Sequence, residues 1–182
     1  MILPKQIYIV ISQTGTILSR ILKLITKAEY NHASISLTPD LNTMYSFGRL
    51  NPYNPFIGGF VRESPNYGTF KRFYNTEVIV LAVAISDEQY QALQSKLNAM
   101  ALNKEQYHYN YLGLFLAGVH IHYHQRDHYY CSEFVKEMLI SYGVHDAEKL
   151  NPIIKPIHFL ELPNITKTYC GKLTNYTVKN KC

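Results

Sequence analysis

The sequence predicts one α+β domain, residues 1–182, built around a mostly antiparallel central sheet. Two segments, Ile7–Ile11 and Glu77–Ile85, are dense in valine and isoleucine and predict buried strands. Helical patterns do not alternate regularly with strands, so the βαβ repeat of a parallel, doubly wound sheet is not expected. With 47% hydrophobic and 17% charged residues, the composition is globular, and neither a repeat nor a linker divides the chain.

The first half of the chain supplies most of the predicted strands. An apolar stripe from Ile17 to Ile25 predicts an amphipathic helix after the first strand. Residues 31–37 then alternate polar and apolar side chains, which predicts a strand with one buried face, and a short strand follows at 43–47. Residues 48–76 are rich in glycine, proline and asparagine, and we interpret them as a long ordered loop.

The second half supplies most of the predicted helices. A capping box at Ser86–Gln89 predicts a helix through about Asn103, and Leu112–Ala117 predicts a short apolar helix. From Cys131 onward, apolar residues recur at helical spacing until Gly143 ends the run. Three prolines after residue 150 indicate an extended tail.

Cys131 is the first candidate for chemistry, because it stands where that amphipathic helix begins. A thiol in the first turn faces unpaired backbone N–H groups and the positive end of the helix dipole, and both favour the nucleophilic thiolate. The same N–H groups could hold an oxyanion, with Gln13 as a possible side-chain donor or merely a loop residue. The alternative for Cys131 is a structural cysteine, since free cysteines are often buried in cores.

His32 is the candidate base. It opens the strand at 31–37, and a histidine at a strand end can take the proton of a cysteine if the fold brings the two together. The alternative is a histidine with only a structural or surface role.

Four motifs in this order resemble a known family: NHASISL (31–37), MYSFGR (44–49), GGFVRE (58–63) and YYCSEFVKEML (129–139). They are similar to the circularly permuted papain-like branch of the NlpC/P60 superfamily, the YiiX/YaeF-type amidases, over most of the chain from Ile7 to about Tyr176. In papain the cysteine precedes the histidine, whereas here the order is reversed. The resemblance implies a permuted papain-like fold with the nucleophile helix on one face of the sheet. It also implies a cysteine hydrolase that cleaves a peptide, isopeptide or peptidoglycan-type amide.

The residue that orients His32 is open between two candidates. The resemblance points to Ser46 on the following strand, and we assign Ser46 to this role, whereas chemistry favours a carboxylate such as Glu63, because a carboxylate stabilises imidazolium. Around the presumed site, Tyr45, Arg49, Glu63 and Tyr130 are candidates for substrate binding, with packing or a structural ion pair as the alternative.

Three other functions remain possible. His120, His122 and His124 would share one face of a strand and could bind zinc, or they could belong to a histidine-rich loop, which needs no metal. The second possibility is a lipid-amide acyltransferase or hydrolase with the same Cys–His pair. The third is an inert binding protein on the same fold. We expect no cofactor and no metal.

Charge and cysteine content constrain location and partners. The net charge of +5 comes from scattered lysines without a nucleic-acid motif, so no nucleic-acid partner is expected and an anionic partner is only an alternative. Three cysteines without a framework argue against a disulfide-dependent secreted domain. The start Met1–Lys5 lacks the pattern of a signal peptide, and no segment is apolar over the ~20 residues that span a bilayer. We therefore predict a cytoplasmic protein whose substrate contains an amide; the exact substrate and the oligomeric state are not determined by the sequence.

Overall fold

The computed structural model describes residues 4–14, 29–51 and 53–178. The predicted helix at Ile17–Ile25 lies outside these ranges. The described part is a mixed α+β structure around one eight-stranded sheet with the strand order β7-β6-β4-β3-β2-β1-β5-β8. The strands are β1 (Lys5–Gln13), β2 (His32–Ser36), β3 (Met44–Asn51), β4 (Asn54–Glu63), β5 (Glu77–Ile85), β6 (His108–Tyr109), β7 (His128–Tyr129) and β8 (Ile165–Lys172).

Neighbouring strands are antiparallel except for the short parallel pair β6–β7. The centre of the sheet is β1, which pairs with β2 on one side and along its whole length with β5 on the other. Because side chains alternate along a strand, Ile7, Ile9 and Ile11 enter the larger core, while Tyr8 and Val10 enter a smaller core on the opposite face.

The α-helices in the described part are α1 (Gly68–Arg72), α2 (Asp87–Leu102), α3 (Tyr111–Gly118) and α4 (Cys131–Ser141). Shorter 3₁₀ turns lie at Lys104–Gln106, His145–Lys149, Pro156–Glu161 and Leu173–Asn175. The predicted capping box of α2 is confirmed: Gln89 N donates to Ser86 Oγ over 3.2 Å, and Ser86 N donates to Gln89 Oε1 over 2.7 Å. No helix among the described residues is long and apolar enough to cross a membrane.

The interpretation of residues 48–76 as a loop is wrong. Most of this segment is the second half of β3, all of β4 and the short helix α1. The glycines that suggested a loop instead allow close packing beside β4. A Cβ atom on Gly59 would lie 3.0 Å from Tyr107 O, and one on Gly58 would lie 2.7 Å from the Tyr111 hydroxyl.

The proline-punctuated tail also contains an unpredicted strand. Ile165–Lys172 forms β8, which pairs antiparallel with β5 from Val83↔Ile165 to Glu77↔Lys172. A shift in register between Val80 and Leu81 interrupts the ladder. Strand β8 therefore forms one edge of the sheet, outside β5.

Candidate active site

The helix α4 begins at Cys131, as predicted, and its start is fixed by packing and by a cap. The Tyr130 backbone N–H donates to Glu133 Oε2 over 3.3 Å, which satisfies one amide at the helix start. Phe134 lies at the inner face of the helix, with its ring 5.2 Å from that of Phe47 on β3 and 5.8 Å from that of Phe60 on β4. These contacts hold the buried Cys131 at the edge of the sheet.

The structure brings Cys131 and His32 together. Cys131 Sγ lies 3.9 Å from the backbone oxygen of Asn31, the residue before His32. The Cys131 side chain also lies close enough to His32 to contribute, after Glu63, to raising the pKa of the imidazole. Strand β2 holds the histidine here because Ser12 on β1 pairs with His32, and the Asn31 N–H donates to Ser12 O over 3.1 Å.

Glu63 binds the other side of the His32 ring. His32 Nε2 lies 3.0 Å from Glu63 Oε1 and 2.9 Å from Glu63 Oε2. The Ser34 hydroxyl donates to Glu63 Oε2 over 2.6 Å, so the carboxylate is itself held in place. Because Nε2 is engaged with Glu63, Nδ1 is the ring nitrogen left for the thiol.

Gly48 on β3 gives the Glu63 side chain its path to His32. A Cβ atom at Gly48 would lie 3.4 Å from Glu63 Oε1 and 3.5 Å from His32 Cε1. The absence of a side chain therefore leaves room for a carboxylate that starts on β4 to reach across β3 to a histidine on β2.

Electrostatics in this mostly buried pair favour the imidazolium. Burial lowers the pKa of His32, but the charge of Glu63, assisted by hydrogen bonds to Cys131 and Glu63, outweighs burial and raises that pKa from 6.5 to about 10. His32 is therefore protonated at neutral pH, and a cation beside a thiol stabilises the thiolate.

The expected position of Ser46 beside His32 needs correction. The Ser46 hydroxyl is buried and donates to Ala33 O over 2.6 Å, with a longer contact to Phe47 O at 3.4 Å. Its short side chain is thus bound to the backbone of the neighbouring strand, while Glu63 occupies the place expected for the orienting group. Glu63, which was also a candidate for substrate binding, is engaged by His32 and Ser34.

The remaining predicted substrate-binding residues separate into two groups. Tyr45 and Tyr130 are buried in the larger core, and burial raises the pKa of the Tyr130 hydroxyl. They therefore pack rather than line a groove. Arg49 is half-buried and, with Arg62, lines a cleft of about 400 Å³ beside Glu63. Gln13, the possible oxyanion donor, ends β1 opposite Glu77.

Three polar side chains near the Cys131–His32 contact were not singled out by the sequence. Ser12 Oγ and Asn31 Nδ2 are buried and lack a hydrogen-bond partner among the described residues. Tyr109 is the third: burial and then the neighbouring Cys131 side chain raise the pKa of its hydroxyl well above the ordinary value. That hydroxyl stays protonated and can donate. For Asn31 the sequence did carry a signal, because it precedes the candidate base directly.

The histidine-rich segment 120–124 does not form the strand that the zinc alternative requires. It is a loop after α3, and His124 Nδ1 lies 2.9 Å from Glu133 Oε1. Over the ranges that the structure describes, no group of three or more His, Cys, Asp or Glu residues is placed to hold a metal ion. The segment instead packs beside the cap of α4 through the His124–Glu133 contact.

A search of solved structures finds a protein of the same overall shape. The chain is similar in fold to YiiX. That protein is a metalloprotein from Escherichia coli O157:H7, and the match has a TM-score of 0.53 and 15% sequence identity and covers 94% of this chain and 99% of YiiX. No model of a known protein family matches the sequence, and no curated protein matches it. At this identity the likeness to YiiX concerns the fold.

Proposed function

We propose that the protein is a thiol hydrolase that cleaves an amide bond through a covalent acyl-enzyme. The observation that carries the proposal is the chain of contacts Cys131–His32–Glu63, in which a helix-start thiol meets an imidazole whose other nitrogen is held by a carboxylate. This is the arrangement of nucleophile, base and orienting group that activated cysteines use. The order His32 before Cys131 and the YiiX-like fold support a permuted papain-like hydrolase.

In the first half of the reaction, the Cys131 thiolate attacks the amide carbonyl carbon. The electron pair of the C=O bond moves to oxygen, and the Cys131 backbone N–H at the start of α4 donates to the resulting oxyanion. His32 then gives its proton to the leaving nitrogen, the C–N bond breaks, and a thioester remains on Cys131. Glu63 holds the ring in position and stabilises its protonated form.

In the second half, His32 takes a proton from water as the water oxygen attacks the thioester carbon. The C–S bond breaks, the carboxylic acid product leaves, and the Cys131 thiolate beside protonated His32 is restored. Asn31 Nδ2 is a further candidate donor to the oxyanion, because it is a buried N–H without a partner in the described part of the chain and its own backbone oxygen lies 3.9 Å from Cys131 Sγ.

Labelling with an iodoacetamide-alkyne probe at pH 6 tests the assignment of the nucleophile. We expect rapid labelling of the native protein, loss of that labelling in Cys131→Ala, and strong slowing in His32→Gln, since the imidazolium stabilises the thiolate. Cys170→Ser is the matched control, because Cys170 is an exposed thiol on β8, and it should keep the rapid phase. Rapid labelling that survives Cys131→Ala would refute the proposal.

Turnover then tests the reaction class. The native protein and Cys131→Ala are incubated with libraries of peptides, muropeptides and lipid amides, and the release of amine is followed by mass spectrometry. Hydrolysis of an amide substrate by the native protein alone supports the proposal. Transfer of the acyl group to an added alcohol or amine, without acid product, would replace hydrolysis by acyl transfer.

A further inference from the structure

Eight of the exposed large apolar side chains belong to two neighbouring parts of the described structure, the β3–β4 hairpin and helix α3. The tip of the β3–β4 hairpin exposes Tyr53 and Phe56, with 77% and 84% of their surface accessible. Leu50 and Ile57 beside them are also exposed. We call these four side chains, together with the outer stripe of α3 described next, the apolar face.

Helix α3 packs Leu114 on the larger core but exposes several of its other apolar side chains. Its exposed residues are Tyr111, Leu112, Phe115 and, just after the helix, Val119, which follow one another at i, i+1, i+4 and i+8 and so form a single stripe. Only Gly113 is buried among the residues of this helix. A helix that is apolar on all sides is ordinarily buried all round, so this exposed stripe is available to a partner.

The hairpin tip and α3 adjoin one another. A Cβ atom on Gly58, two residues after Phe56, would lie 2.7 Å from the Tyr111 hydroxyl at the start of α3. The exposed stripe of the helix therefore begins beside the hairpin, and the two parts can contact one partner surface.

The charge around the apolar face has one sign. The segments 41–62, 64–76 and 106–125, which carry the hairpin, α1 and α3, contain Arg49, Arg62, Lys71 and Arg72 but no aspartate or glutamate. Glu63, the acidic residue between the first two segments, is largely buried against His32. The Arg72 guanidinium lies 4.0 Å from the centroid of the Tyr53 ring, so a cation stands directly at the hairpin tip. Lys71 beside it is exposed.

We propose that the apolar face binds the surface of a lipid bilayer that carries anionic headgroups. Protruding aromatic and aliphatic side chains flanked by cations are the combination that enters the interfacial region, where rings lie at headgroup level and cations meet lipid phosphates. A second copy of the chain fits less well, because two such faces would bring like charges together with no acidic residue in these segments to compensate. The inference does not depend on the proposed hydrolase activity.

Vesicle flotation tests this proposal with the intact protein. Vesicles of phosphatidylcholine containing roughly one-third phosphatidylserine are compared with pure phosphatidylcholine. We expect the native protein to float with the anionic vesicles and to bind less as salt is raised, because the cations act through screened charges. The double variant Phe56→Ser/Phe115→Ser should bind at least about tenfold more weakly, since two exposed rings are no longer available for insertion.

Variants that remove charge, together with control variants elsewhere, distinguish binding by the apolar face from nonspecific binding to lipid. Lys71→Gln/Arg72→Gln should reduce binding to anionic vesicles while leaving any residual binding to phosphatidylcholine unchanged. Leu160→Ser and Lys167→Gln alter an exposed apolar residue and an exposed cation elsewhere, and both should bind as the native protein does. Circular dichroism checks that each variant is folded.

Two results would overturn the proposal. One is the absence of flotation of the native protein with anionic vesicles at low salt. The other is a concentration-dependent dimer, measured by analytical ultracentrifugation, that Phe56→Ser/Phe115→Ser abolishes, because the apolar face would then belong to a second copy of the chain. Flotation that all variants share equally would also refute the assignment to this face.

Discussion

Replacing Glu63 by glutamine removes one charge from the proposed site with little change in shape. In the native protein, Glu63 is the largest influence that raises the pKa of His32, and burial is the largest that lowers it. Without the carboxylate charge, burial is opposed only by the contact with Cys131. We therefore expect the pKa of His32 to fall from about 10 to about 6.5 or below.

The loss of protonated His32 in Glu63→Gln can be calculated from the native pKa and the pKa expected in the variant. At pH 8 a histidine with a pKa of about 10 is about 99% protonated, whereas one with a pKa of about 6.5 is only about 3% protonated. The variant should thus lose most of its imidazolium at pH 8, and with it the stabilisation of the Cys131 thiolate. Turnover should fall by roughly 10³- to 10⁴-fold, as in other sites where the group that orients the base is neutralised.

The pH dependence of the free energy of unfolding provides a second test, because the raised pKa of His32 determines its direction. A histidine whose pKa is higher in the folded than in the unfolded protein stabilises the fold fully below about pH 6.5, and this contribution is lost as the pH rises to about 10. For a buried ion pair it is on the order of 3–5 kcal/mol. The free energy of unfolding of the native protein should decrease between pH 6.5 and 10, and Glu63→Gln should flatten that decrease.

The assay is an NMR titration of the His32 ring, combined with urea unfolding at pH 6 and pH 9. Glu137→Gln is the matched control, because Glu137 is an exposed carboxylate on the same helix as Cys131 and its nearest hydrogen-bond partner is Ser141. The control should titrate as the native protein does. A His32 pKa that remains near 10 in Glu63→Gln would show that the carboxylate does not set the charge of the base.

Four further substitutions test the supporting contacts. Ser34→Ala removes the 2.6 Å hydrogen bond to Glu63 and should lower turnover by about tenfold, measured with the substrate found by screening. Ser46→Ala should instead cost about 1 kcal/mol in urea unfolding with unchanged turnover, because its hydroxyl binds Ala33 O; an equal loss of turnover in both variants would contradict the different roles. Gly48→Val places methyl groups where Glu63 crosses to His32, and it should lower kcat in the same assay; an unchanged kcat would show that Glu63 does not need this gap. Glu133→Ala should destabilise the start of α4 by about 1–2 kcal/mol and speed hydrogen exchange of the Tyr130 amide, whereas unaltered exchange would exclude a role of Glu133 as the cap.

The sequence predicted the regular elements better than the contacts between them. The apolar strands β1 and β5 and the helix at Cys131 were recognisable because their patterns are local. Strand β4 was missed because Gly58 and Gly59 and the nearby prolines resemble a loop. Glycine is needed at these two positions because of tertiary packing: neighbouring groups such as Tyr107 O leave no room for side chains there.

The choice between Ser46 and Glu63 shows that the strand nearest to His32 need not supply the residue that binds it. Ser46 lies on the strand next to that of His32, but its hydroxyl is too short to do more than bind the adjacent Ala33 carbonyl. Glu63 starts one strand further away, and its longer side chain reaches His32 over the gap that Gly48 leaves. Nothing in the local pattern of β4 indicates that gap, because it depends on the register between β3 and β4.

The distance along the chain between the parts of the site has a consequence for biosynthesis. His32 and Glu63 are 31 residues apart, and Asn31 and Cys131 are 100 apart. Contacts of such separation form late in folding, since a long loop must close before they are gained. During synthesis the histidine and its carboxylate emerge well before the thiol, and the strand β8 that completes the sheet emerges later still. In a nascent chain His32 and Glu63 are therefore present before their nucleophile, Cys131, has been synthesised.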